Sequence, residues 1–285
     1  MKSFLYQGSG GTIGDLLLSS HIMYHMYTKK NKVSVAIPNN LHEELKYLYT
    51  RHTFLDDIIE IDQGTFTDVN KFIEYAIHNN FEPIIYLDEN YIWLLHDIIF
   101  HPLFKWFNLI ESPILNFKQY VGFHITSSTN WDRYPIPYIK SWIESVLNVN
   151  LRPCFIGTKK DEELILKLYP DIKSWYSFDE QYWRFGKDSI LQTIANISDM
   201  YSMIVFSSWS TYAAIFQGIP AVEMWNDKQW QFYSPIVNRM LGGPVHYVPA
   251  SYKEPPSPFI LTEILPGLKR RCQSVHFRQA SLINC

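Results

Sequence analysis

Two stretches of this 285-residue sequence gather residue types whose chemistry depends on close spacing. The first is Gly8-Ser9-Gly10-Gly11-Thr12-Ile13-Gly14-Asp15. Glycines admit φ > 0 and let a ligand approach the main chain. Where such a loop opens a helix, the free N–H groups favour an anion. Asp15, in the first turn, can accept a proton from a hydroxyl. The same carboxylate would also complement the helix dipole, worth about 0.3–1 kcal/mol. The second stretch runs Ser207-Ser208-Trp209-Ser210-Thr211-Tyr212-Ala213-Ala214-Ile215-Phe216-Gln217-Gly218-Ile219-Pro220. Hydroxyls and N–H groups at the start of that helix form a cradle suited to a diphosphate. Serines there also serve as ordinary N-caps. Ala213 and Ala214 let the helix lie close to a sheet, Gly218 ends it, and Pro220 leads into the next strand. Glu223 falls near the end of that strand, where open α/β sheets bind ligands.

Other nucleotide-binding patterns compete for the glycine loop. A dinucleotide fingerprint needs G-x-G-x-x-G; Gly8 and Gly10 fit, but the third position is Ile13. The second strand should end near an acid for the ribose, and Pro38-Asn39-Asn40 follows it instead. A phosphate-binding P-loop needs Gly-Lys-Ser/Thr, and this loop ends in Gly14-Asp15.

The elements that must position these groups read as alternating strands and helices, the pattern of parallel β/α units. In the first half the expected strands are Phe4–Gln7, Val33–Ile37, Ile58–Ile61 and Pro83–Leu87. The expected helices are Ile13–Tyr27, Leu41–Tyr49 and Val69–His78. Residues 91–110 are apolar but interrupted by His96, Asp97, His101, Pro102 and Lys105, which predicts a helix and a proline break. Pro113–Tyr120 reads as a linker. A second series follows, with strands Val121–Ile125, Arg152–Ile156, Met203–Phe206 and Ala221–Met224. Its helices are Tyr138–Leu147, Asp161–Leu168, Ile190–Ile197 and Thr211–Gln217. The expected domains are 1–116 and 117–285, with the tail beyond residue 255 able to return to the first.

The composition suits two globular domains. Hydrophobic residues make up 47% of the chain, enough for two cores. The net charge of −3 calls for no polyanionic partner. Charge is uneven, however: Lys269, Arg270, Arg271 and Arg278 follow the last acid, Glu263, as a solvated helix or a phosphate- or membrane-facing patch. Three cysteines, Cys154, Cys272 and Cys285, give no disulfide framework and fit a reducing compartment. No signal-peptide pattern and no run of about 18 apolar residues is present, so the expected location is cytoplasmic without a transmembrane segment. Peripheral membrane contact through the apolar 91–110 stretch is compatible with this.

Together the two motifs resemble the lipopolysaccharide-core heptosyltransferases. In that family an N-terminal Gly-Asp opens the first helix and its Asp is the catalytic base; Gly14-Asp15-Leu16-Leu17-Leu18 matches. The family's middle strand ends in His-Pro-Gly-like residues, where this chain has His124-Ile125-Thr126-Ser127-Ser128. In the donor motif, Ser207-Ser208-Trp209 stand for Asp-Ser/Thr-Gly, Tyr212 stands for a His, and Gly218-Ile219-Pro220 matches. Arg133 lies one position away from the family's phosphate-binding Lys.

The resemblance implies a GT-B fold, two Rossmann-like domains facing across a cleft. It implies an inverting glycosyltransferase that needs no metal and no cofactor beyond its nucleotide-sugar co-substrate. Asp15 would act as base; Ser207, Ser208, Trp209, Ser210, Tyr212, Glu223, Arg133, His124 and Thr126 would bind donor; Gly10, Gly11 and Gly14 would shape the acceptor-side loop. The implied acceptor is a bacterial surface glycan. The alternatives are hydroxymethylated DNA, as for phage DNA glycosyltransferases working in host cytoplasm, and a non-catalytic nucleotide-sugar-binding protein.

Overall fold

The computed structural model describes residues 3–8, 12–29, 32–85, 101–126, 136–206, 208–225, 245–249 and 264–265. The chain forms two compact units, Met1–Leu109 and Ile110–Cys285.

The first unit alternates strands β1 (Ser3–Gln7), β2 (Val33–Pro38), β3 (Ile58–Ile61) and β4 (Phe81–Ile84) with helices α1 (Ile13–Thr28), α2 (Glu43–Tyr49), α3 (Gln63–Thr67) and α4 (Val69–His78). All strand pairs are parallel, in the order β3-β2-β1-β4. The order reverses between β1 and β4, and open α/β sheets bind ligands beyond the carboxyl ends of such a pair. β2 is buried along its whole length, as a central strand covered on both faces must be. Leu5, Ala36, Ile61, Phe66, Phe72 and Ala76 pack as a core between the sheet and α3–α4.

α1 is buried almost all round, from Leu16 to Met23. Its apolar face includes Leu16, Leu17, Ile22 and Met23, each at most 1% exposed. Two of its buried polar groups meet other loops of the unit. His52 Nε2 lies 2.5 Å from Ser20 Oγ. The His101 N–H donates to His21 Nε2 at 2.9 Å. These contacts fix the helix that carries Asp15.

The second unit contains β5 (Tyr120–His124), α5 (Ile136–Asn148), β6 (Arg152–Phe155), α6 (Lys159–Leu168), α7 (Ile190–Ser198), β7 (Ser202–Phe206), α8 (Trp209–Phe216), β8 (Ala221–Trp225) and β9 (Val245–Pro249). Its parallel sheet has the order β6-β5-β7-β8-β9. The switch point therefore lies between β5 and β7, in register Val121 to Ser202 through His124 to Val205. Its core centres on Phe123, Trp142, Phe155, Trp183 and Phe206, and Leu265 of the late chain packs into it.

The segment read as linker is fastened to this second unit. The Ile114 N–H donates to Asn196 Oδ1 at 3.2 Å and the Phe117 N–H to Asp199 Oδ2 at 2.9 Å.

Several elements depart from the sequence reading. β4 begins two residues earlier than expected, because Phe81 pairs with Ser3. Among the described residues it is an edge strand, which tolerates Pro83 inside it. α3 and β9 were not anticipated. Of the apolar 91–110 stretch, residues 101–110 hold one short 3-10 turn, Leu103–Lys105, directly after Pro102, where the proline break was expected; the helix expected before it falls on residues 91–100, outside the described residues.

Candidate functional site

Each unit carries candidate side chains at the carboxyl end of its own sheet. In the first unit the β1–α1 loop leads to Thr12, whose extended backbone makes it the N-cap of α1. Thr12 Oγ1 accepts the Asp15 N–H at 3.3 Å and donates to Asp15 Oδ2 at 2.8 Å. This is a Thr-x-x-Asp arrangement in which cap and carboxylate hold each other. Gly14 is buried and Asp15 is exposed. An exposed carboxylate, oriented by a hydroxyl at a helix start, can receive a proton from a bound hydroxyl. Gly10 and Gly11 lie outside the described residues.

Gly8, the first glycine of the motif, packs against its own sheet. Its N–H donates to Ala36 O at 2.8 Å. A Cβ there would stand 2.8 Å from Ala36 O, 2.9 Å from the Tyr49 hydroxyl and 2.9 Å from Val35 Cγ2. The close approach that this glycine permits is to β2 and α2.

In the second unit the switch point brings together residues more than 80 positions apart. His124 ends β5 and α8 starts just beyond β7. His124 Nδ1 lies 3.0 Å from Ser208 Oγ and 3.0 Å from Ser210 Oγ. The two hydroxyl oxygens are 2.8 Å apart. The Trp209 ring sits 5.6 Å from the imidazole, tilted by 60°. His124 is 6% exposed, and burial lowers its pKa to about 4 against the opposing charge of Asp161. The ring is therefore neutral near pH 7.

Ser208 is the N-cap residue of α8, yet its side chain makes no cap hydrogen bond. Its hydroxyl joins His124 and Ser210 instead. The side chain thus leaves the first N–H groups of the helix to another partner. An anion at that point would meet both these donors and the helix dipole.

The remaining expected residues take distinct places. Thr126 is buried just after β5, at 5% exposure. Tyr212 is half-buried one turn into α8, its ring stacked on Phe216 at 6.2 Å. Glu223 is 2% exposed, and its Oε1 accepts from Thr211 Oγ1 at 2.8 Å. That contact clasps α8 to β8. Gly218, at φ 75°, closes α8: its N–H reaches Ile215 O and the Ile219 N–H reaches Ala214 O. Ser207 and Arg133 lie outside the described residues.

The sequence reading passed over one feature. Beyond β6, Thr158 and Asp161 form a capping box at the start of α6. Asp161 is the acid whose charge acts on His124. The signal was present as Thr158-x-x-Asp161. Among the described residues no three His, Cys, Asp or Glu side chains gather to hold a metal ion, and no helix is long and apolar enough to cross a membrane.

No protein-family model and no curated protein matches this sequence. Solved structures do match its fold. The Escherichia coli ADP-heptose LPS heptosyltransferase II is similar with a TM-score of 0.60 at 12% identity, over 94% of this chain and 98% of that one. The glycosyl transferase family 9 structure from Veillonella parvula DSM 2008 is similar at 0.55 and 15%, over 88% and 86%. The E. coli heptosyltransferase WaaC with ADP-2-deoxy-2-fluoro heptose is similar at 0.56 and 9%, over 95% and 100%. The chain thus has a heptosyltransferase-like GT-B fold, built from two parallel α/β units.

Proposed function

We propose that this protein is a glycosyltransferase that moves a sugar from a nucleoside-diphosphate sugar to a hydroxyl of a glycan acceptor. The observation that carries the reading is the His124–Ser208–Ser210 cluster at the switch point, beside a helix start without a side-chain cap. That arrangement suits a diphosphate.

In the proposed reaction the acceptor oxygen attacks the anomeric carbon with inversion. The bond from that carbon to the diphosphate oxygen breaks, and its electron pair leaves with the diphosphate. Asp15 receives the acceptor proton. Ser207, Ser208 and the α8 N–H groups hold the departing charge, and Arg133 supplies a cation. In this scheme no metal carries a step. ADP is the first nucleotide to test, because two of the heptosyltransferase structures of this fold hold ADP or an ADP-sugar.

A thermal-shift panel of ADP, UDP, GDP, CMP and NAD tests the donor site. At a ligand concentration 100-fold above Kd, binding adds about 2.7 kcal/mol. Stabilisation by one nucleoside diphosphate and none by NAD is the expected result. Stabilisation by NAD alone, or by none of the five, sinks the reading. Asp15→Asn tests catalysis: turnover should fall by about 10²–10⁴ with donor affinity kept.

A further inference from the structure

Three contacts close a triangle among His124 Nδ1, Ser208 Oγ and Ser210 Oγ, at 3.0, 3.0 and 2.8 Å. Polar atoms so close each need a hydrogen between them. The two hydroxyls supply two hydrogens, and a neutral Nδ1 supplies one or none according to tautomer.

With Nδ1 bare, both hydroxyl hydrogens are consumed inside the triangle and one edge still lacks a hydrogen. Two lone-pair-bearing atoms would then face each other at contact distance. With Nδ1 protonated, its hydrogen forks to both oxygens. One hydroxyl hydrogen bridges the serines, and the other is left over. Ser210 is 0% exposed, whereas Ser208 is half-buried at the mouth of α8. Ser210 therefore donates to Ser208, and the spare hydrogen belongs to Ser208.

We propose that His124 is a positioning residue, held as the Nδ1–H tautomer, which turns the Ser208 hydroxyl hydrogen outward to a diphosphate oxygen at the start of α8. Burial keeps the ring neutral near pH 7, with its pKa at about 4, so the choice is between two tautomers and does not depend on an imidazolium. The charge facing the ring comes from Asp161. The inference rests on the donor-site reading, and adds that Ser208 acts as a hydrogen donor set by a histidine that need not touch the ligand.

The test is a long-range ¹⁵N–¹H spectrum of ¹⁵N-histidine-labelled full-length protein at pH 7.5, free and with ADP, with His124 assigned by its loss in His124→Asn. The expected spectrum shows His124 protonated on Nδ1 and bare on Nε2. An Nε2–H tautomer in both states overturns the inference. ADP affinity gives the second readout. Ser208→Ala and His124→Leu should each weaken ADP about tenfold, the scale of one lost hydrogen bond to a charged group. The double variant should be no worse than either single, because both remove the same donor. His124→Asn, whose amide N–H replaces that of Nδ1, should stay within about threefold of wild type. Additive losses, or His124→Asn as weak as His124→Leu, refute the relay. Wild-type protein that binds no nucleoside diphosphate sinks the donor-site reading itself, whereas ADP binding with the wrong tautomer sinks only this inference.

Discussion

Gly8→Ala separates two reasons for a glycine in the β1–α1 loop. If the glycine serves ligand approach, alanine would harm nucleotide or acceptor binding and leave stability alone. The structure gives the opposite expectation. The added Cβ would meet Ala36 O at 2.8 Å, the Tyr49 hydroxyl at 2.9 Å and Val35 Cγ2 at 2.9 Å. Tyr49 and Val35 are both 0% exposed, so neither side chain can swing into solvent. Ala36 is main chain in a central strand and must move with β2. Overpacking of this kind costs about 1–3 kcal/mol. For a unit of 109 residues that lowers the melting temperature by roughly 5–15 °C. Paired urea and thermal melts of Gly8→Ala and wild type provide the assay. Tyr49→Phe in the same chain removes the hydroxyl and should recover part of the loss, but not all, since the Ala36 carbonyl remains. A Gly8→Ala protein within about 0.5 kcal/mol of wild type, with nucleotide binding or turnover damaged, would refute the packing argument.

Other outcomes follow from contacts already described. Thr211→Val removes the buried hydrogen bond to Glu223 and should cost about 1–3 kcal/mol in urea melts; a loss below about 0.5 kcal/mol would deny the clasp between α8 and β8. Gly218→Ala places a Cβ at φ 75° and should cost about 1–2 kcal/mol, read from the same melts. Stability should also fall with acid. Burial lowers His21 to about 3 and His52 to about 4, both below their ordinary value of 6.5. The unfolded chain therefore takes up these protons first. Their contribution is complete above about pH 6.5 and is lost as pH falls towards 4, at about 1.4 kcal/mol per pH unit for each ring. Urea midpoints at pH 7.5, 6 and 5 check this, and His52→Gln should flatten the slope; an unchanged midpoint across that range contradicts it.

Much of the fold was legible because parallel strands covered on both faces must be continuously apolar. β2 and β7, buried from end to end, stand out in the sequence for that reason. The misplaced start of β4 has a physical cause. Pairing with β1 extends β4 back to Phe81, and its outer place among the described strands accommodates Pro83 inside it. α3 is five residues long, capped by Asp62 and anchored by Phe66 alone, too short to show a period. Asp15 and the serines could be named from local motifs. The partnership of His124 with Ser208 could not, because 84 residues separate them and only the sheet order places β5 beside β7. Gly8 shows the same limit from the other side: the residue type announces a close approach, and only tertiary structure says what approaches.

The fastening of residues 112–117 decides where this chain can be divided. Gln192 Nε2 donates to Ser112 O at 2.8 Å, and the Tyr182 hydroxyl donates to Asn116 O at 3.2 Å. The N–H groups of Ile114 and Phe117 are taken by Asn196 and Asp199. A polypeptide begun at residue 117 would keep the strands of the second unit but leave α7 and its neighbours without three of these four partners. One begun at residue 110 would carry its whole binding strap. The seam for severing or recombining the two halves therefore lies at Leu109–Ile110, upstream of the proline that looks like a joint.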